Sequence, residues 1–269
     1  MLRSPNHSES RSQPVIVANP DYDKPGLNQT SPTRSTDNRG LIDPLEQTFA
    51  PLPASAKEAE AIAPMLPGVK LLTGSMATEN ALKQLQSPNI LHIATHGFFH
   101  TDVEPPYVDT STILPDTRSA QPNVRPLENP LLRSGLALAG ANLNESSNQD
   151  GILTALEAAG LNLLGTKLLV LSACETGLGD VKNGEGVYGL RRALAIAGAE
   201  SQLISLWAVN DYGTNKLMVS YYQRLIANTA RSEALRQTQL EMLSHPTYQH
   251  PYFWAAFVPS GDWTPLNNR

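Results

Sequence analysis

Residues 167–173 read Lys-Leu-Leu-Val-Leu-Ser-Ala, apolar at nearly every position and without two-residue alternation. A strand with one wet face alternates; a run like this one is covered on both faces, the condition of a central strand in a parallel sheet. Parallel neighbours cannot be joined by tight turns, so crossover helices must lie on the sheet's two faces. The rest of the chain meets that demand. Residues 14–18 form a short strand closed by Asn19-Pro20. Residues 54–63 have helical spacing at Ala56, Ala59, Ile62 and Ala63, ended by Pro64 and the Pro67-Gly68 turn. Residues 69–72 are a second short strand, Thr78 caps a helix reaching about Gln86, and residues 90–95 are a third strand running directly into His96-Gly97.

Further on, 130–143 reads as an inserted hairpin or a helix, and 154–164 as a helix. Residues 185–197 are helical, 201–209 form a strand, and helices follow over 214–226 and 231–243. An apolar strand-like run at 252–258 closes the series. Residues 1–12 read as a disordered tail or linker, and 20–50 and 101–129 as loops. The expectation is an α/β fold: one domain over 13–265, a three-layer sandwich of mostly parallel sheet flanked by helices. With 269 residues, 41% of them hydrophobic, one large core is available.

Formal charge is −5, and the densest basic spot is Arg191-Arg192. A phosphate-tracking protein carries a basic stripe, so no nucleic-acid partner is expected. No apolar run approaches the roughly 18–20 residues that span a bilayer. The single cysteine excludes an intrachain disulfide and suits a reducing compartment, so a soluble, cytoplasmic protein without membrane contact is expected. Residues 184–189 match G-x-G-x-x-G, with Asp211 beyond, but a polar loop separates the glycines from the strand ending near Ala173. A dinucleotide fingerprint runs straight from strand to glycine, so no cofactor is expected. The glycines let the loop after Cys174 fold tightly instead. His92 lies within a strand as a core histidine, and His100, His245 and His250 lack the partners of a zinc site.

Reactive groups of open parallel sheets gather at the carboxyl ends of strands. Two such ends carry His96-Gly97 and Cys174-Glu175. If the strands are neighbours, a thiol and an imidazole share one rim, where they act on one carbonyl. A free thiol has a pKa of about 8.5, and a nearby imidazole favours the thiolate or protonates a departing amine. The amides of Gly97 and Cys174 are candidate oxyanion donors, each worth about 2.7–4 kcal/mol. Asp211 is a candidate substrate carboxylate or a helix N-cap, and Trp207 a candidate pocket wall or core residue. A strand-end cysteine is also, more commonly, a small core residue.

The segments ATHGFF, PLLRSGLALAGAN, DGILTALE, LVLSACETGLGDVKNGEGVYGLRRALAIAGA, SLWAVND and HPYFWAAFVPSGDW, in that order, resemble the CHAT family. These caspase-like domains often stand beside tetratricopeptide repeats in bacterial multidomain proteins. The resemblance covers about residues 14–263 and places His96 and Cys174 on the family's His-Gly and Cys positions. It implies a caspase-like fold, a Cys-His dyad, and cleavage of a protein or peptide substrate through an acyl-enzyme. Tetratricopeptide-repeat or regulatory partner domains are implied too. Specificity for aspartate is not implied, because the caspase signature Gln-Ala-Cys, with its His about 50 residues upstream, is absent. Two other readings stay open: a regulatory interaction module that cuts nothing, and a nucleotide-binding enzyme using the glycine loop.

Overall fold

The structure, a computed structural model, describes residues 12–27, 48–99, 130–146, 149–175, 185–207 and 210–266. Most of the expected tail, residues 28–47 and 100–129, and the glycine-rich loop 176–184 lie outside them. So does His100.

Six strands form the main sheet: β1 (Val15–Pro20), β2 (Lys70–Gly74), β3 (Ile90–Phe99), β6 (Leu168–Glu175), β7 (Ser201–Ser205) and β8 (Phe257–Gly261). Their order is β2-β1-β3-β6-β7-β8, all parallel except β8, which runs antiparallel to β7 at the edge. A hairpin of β4 (Ser134–Ala137) and β5 (Ile152–Thr154) is inserted between β3 and β6, with β4 antiparallel to the last residues of β3. Between β4 and β5 the chain turns at Gly140, whose φ of +83° leaves no room for a side chain: a Cβ would sit 1.8 Å from the Glu145 carbonyl oxygen.

Helices cover both faces, as the apolar run of β6 requires. On one face lie α1 (Pro53–Ile62), α5 (Asp211–Ile226) and α6 (Arg231–Ser244), packed on Ile16, Ile90, Val170 and Leu203. On the other lie α2 (Glu79–Lys83), α3 (Ala155–Ala158) and α4 (Glu185–Ile196), packed on Val17, Leu91, Ile93 and Leu169. Successive residues of the central strands thus alternate between two cores. The architecture is an α/β three-layer sandwich with a mostly parallel mixed sheet. No helix among the described residues is long and apolar enough to cross a membrane.

Several local expectations are corrected. The helix expected over 154–164 is strand β5 followed by the four-residue α3, because Thr154 starts a helix through a capping box with Glu157 and Gly160 follows its end. Leu161 and Leu163 reach the core without helical backbone. The strand expected at 252–258 is a 3₁₀ turn at Pro251–Phe253 before β8. His250 Nδ1 accepts the Tyr252 N–H and holds that turn. Ser12, expected as the end of the tail, bridges Pro88.

Candidate active site

Strands β3 and β6 are neighbours, and their register pairs His96 with Cys174 and Gly97 with Glu175. Parallel neighbours lie about 4.8 Å apart, so the two positions meet at one rim, both near the carboxyl ends of their strands. His96 and Gly97 lie within β3, not after it, because β4 extends the ladder past the end of β1 and pairs Gly97 with Leu136. By strand alternation, positions 168, 170 and 172 share the face of α1.

His96 is 7% exposed. Its ring packs against Tyr22 and Phe49, with centroids 5.4 and 5.9 Å away, and those two rings also contact each other. Nε2 is 2.8 Å from the carbonyl oxygen of Ala50. A carbonyl only accepts, so Nε2 carries the proton, and in the neutral ring Nδ1 is left with the basic lone pair. Nδ1 is buried and has no hydrogen-bond partner among the described residues. The backbone of His96 is also tethered. Its N–H reaches the Tyr22 hydroxyl at 3.4 Å, which lies 2.9 Å from Thr95 Oγ1, and that hydroxyl donates to the Ala137 carbonyl at 2.5 Å. With Thr95 spent as a donor to Ala137, Tyr22 donates to Thr95. Burial pushes the Tyr22 hydroxyl up to about 12, so it stays protonated in this chain.

Beneath the rim lies a buried polar cluster. His92 is fully buried; Nδ1 lies 3.1 Å from the Tyr222 hydroxyl and Nε2 lies 3.2 Å from Glu58 Oε1. The second contact is close but not aligned as a hydrogen bond, and both atoms have no other partner among the described residues. Glu58 Oε2 accepts from Ser172 Oγ at 3.2 Å. Helix α1 thereby joins β3 and β6, and its first residue, Pro53, follows Ala50 by one short turn of chain. On the far side, Ser205 donates to the carbonyls of Ala173 (2.7 Å) and Leu171 (3.3 Å).

Trp207 is 39% exposed after the end of β7. Asp211 is the exposed first residue of α5; the N-cap is Asn210, which accepts from the amides of Tyr212 and Gly213. Gly189 belongs to α4, not to a loop around the site: a Cβ there would lie 2.7 Å from Ser134 Oγ, so the glycine permits the helix to approach β4.

Sequence reasoning missed Ala50, Tyr22, Glu58 and Ser205. Only Glu58 left a trace. It falls on the buried stripe Ser55, Glu58, Ala59, Ile62, where an acidic side chain signals a partner inside. The Ala50 contact comes from a backbone carbonyl, and no residue type encodes it.

An α/β sandwich with histidine and cysteine paired across neighbouring strand ends defines the class. The chain belongs to the CHAT family: the CHAT domain matches residues 1–262. It is 27% identical over 268 residues to human tetratricopeptide repeat protein 28, covering 98% of this chain and 10% of that protein. It is 26% identical over 223 residues to the Mus musculus protein of that name, covering 82% of this chain and 9% of the relative. The chain therefore spans about a tenth of the length of these relatives. A crystal structure of the Arg-specific cysteine proteinase gingipain R superposes with a TM-score of 0.49 at 9% identity, covering 94% of this chain and 47% of that one.

Proposed function

We propose that this domain is a cysteine endopeptidase in which Cys174 and His96 form the catalytic dyad. The observation that carries this reading is the tautomer of His96. The Ala50 carbonyl fixes the proton on Nε2, leaving a buried Nδ1, unpartnered among the described residues, on the residue that pairs with Cys174. Nδ1 takes the thiol proton, and the thiolate attacks the scissile carbonyl. The tetrahedral oxyanion is held by the amides of Gly97 and Cys174. Both stand at the β3–β6 seam, so the last rungs of that ladder give way as the substrate enters. Collapse transfers the proton from Nδ1 to the leaving amine and leaves a thioester. Water then loses a proton to Nδ1, attacks the thioester and releases the acid, and the thiolate recovers the proton. Trp207 and Asp211 line the approach, with Asp211 favouring a basic residue before the scissile bond.

The test is a peptide library incubated with wild type and with Cys174→Ala. Cleavage by wild type that disappears in the variant is the expected result; equal cleavage by both removes the assignment.

A second reading is a partner-binding module that cuts nothing, in the context of tetratricopeptide repeats. It draws on relatives whose name carries those repeats and of which this chain is a small part. It expects no cleavage by wild type and no alkylation of Cys174 near neutral pH.

A further inference from the structure

We propose that the cleft between α4 and the strands β7 and β8 binds a small phosphate-bearing molecule. This site does not depend on the peptidase reading. The cleft lies at the amino-terminal end of β7, on the rim opposite His96. It has a volume of about 430 Å³ and is lined by Arg191, Arg192 and Ala195 of α4, with Gln202 of β7 and Ser260 of β8. That size suits a small ligand.

Charge and hydrogen bonding specify the ligand's chemistry. Glu200 also lines the cleft, but both its oxygens are taken by Lys167 Nζ at 3.0 Å. Neither Arg191 nor Arg192 has a carboxylate partner among the described residues. Two arginines thus line a cleft whose lining acid is already ion-paired, in a chain of net charge −5. Guanidinium forks match the oxygens of phosphate and carboxylate.

Gln202 sharpens the choice. It is 3% exposed, and its Nε2 donates to the Arg191 carbonyl at 3.2 Å. The opposite amide orientation would set oxygen against oxygen, so Oε1 is the remaining atom, buried with no partner among the described residues. An occupant that turns the Gln202 amide towards the cleft brings anionic oxygens for the arginines and a hydrogen-bond donor for Oε1. Hydrogen phosphate offers both, as does a phosphate ester carrying a hydroxyl. Sulfate, unprotonated at neutral pH, offers only the first.

The experiment is isothermal titration of the full chain at pH 7 and constant ionic strength with inorganic phosphate, glycerol 3-phosphate and sulfate. Saturable binding of both phosphates, with sulfate at least about tenfold weaker, is expected from the unmatched Gln202 acceptor. Replacing both arginines (Arg191→Gln with Arg192→Gln) should weaken phosphate binding by about tenfold or more. Gln202→Leu should erase the preference for phosphate over sulfate. Should Gln202→Leu fail to fold, the arginine variant decides alone, since both arginines reach solvent. Cys174→Ala should bind phosphate like wild type, which separates this cleft from the catalytic rim. Absence of saturable phosphate binding, equal affinity for sulfate, or binding unchanged without the arginines would overturn the proposal.

Discussion

Ser205 Oγ donates to the carbonyl oxygen of Ala173 across the β6–β7 boundary, at 2.7 Å. That carbonyl and the Cys174 N–H belong to one planar peptide unit, so a hydrogen bond to the first orients the second. Ser205 is a positioning residue in this scheme. Ser205→Ala should lower stability by only about 1 kcal/mol. It should reduce kcat about tenfold with KM nearly unchanged, the pattern of an interaction made in the transition state. Steady-state kinetics beside urea melts would separate the two effects; a loss of stability with kcat intact would leave Ser205 a structural residue only.

Glu58 sits in the layer between α1 and the sheet, 4% exposed, with His92 and Ser172 as its contacts. Removing one member of such a cluster leaves the others buried without a match. Glu58→Ala should destabilise the domain by about 3 kcal/mol. Glu58→Leu combined with His92→Phe, which replaces the polar contact by apolar packing, should recover much of that loss. Denaturant midpoints of the two variants measure the difference.

Phe49 stacks on His96 and is 2% exposed in a small cluster with Tyr22 and Phe98. Phe49→Ala should cost about 3 kcal/mol through the cavity it leaves. The neighbouring Ala50 carbonyl then loses its anchor, so kcat, measured by steady-state kinetics, should fall even at temperatures where the variant is fully folded. Phe49→Leu, which keeps most of the volume, should restore stability more than kcat.

Glu79 is fully buried, and burial pushes its carboxyl up from 4.5 to about 7. Lys83 lies 2.6 Å away but also serves Glu157 and Gln149, and the carboxylate of Glu157 adds repulsion. With the folded value raised, the folded chain holds a proton that the unfolded chain has released between those two values. Stability from this group is therefore full below pH 4.5 and falls as pH rises towards 7, by an amount on the order of 3 kcal/mol. Glu79→Gln should flatten the dependence in that window. Urea unfolding at pH 5 and pH 7.5 for both proteins would show it; parallel curves would dismiss the shift.

The apolar run of β6 was enough to call for a parallel sheet with helices on both faces, because burial on two sides leaves no alternation. His96 and Cys174 were legible as residues following apolar runs, although the strands continue through both. Capping chemistry located the starts of α2 and, less well, α5, where Asn210 took the role considered for Asp211. Short elements were misread: residues 154–164 look helical by composition, but only Ala155–Ala158 are a helix, and pairing with β4 makes residues 152–154 a strand. The adjacency of β3 and β6, and the register that pairs 96 with 174, are relations between segments far apart in the chain, and periodicity within one segment carries no information about them. The same holds for the Ala50 carbonyl, the Ser205 contact and the cleft beside Arg191 and Arg192. Hydrogen bonds to backbone atoms and unmatched buried acceptors exist only once the chain has closed on itself.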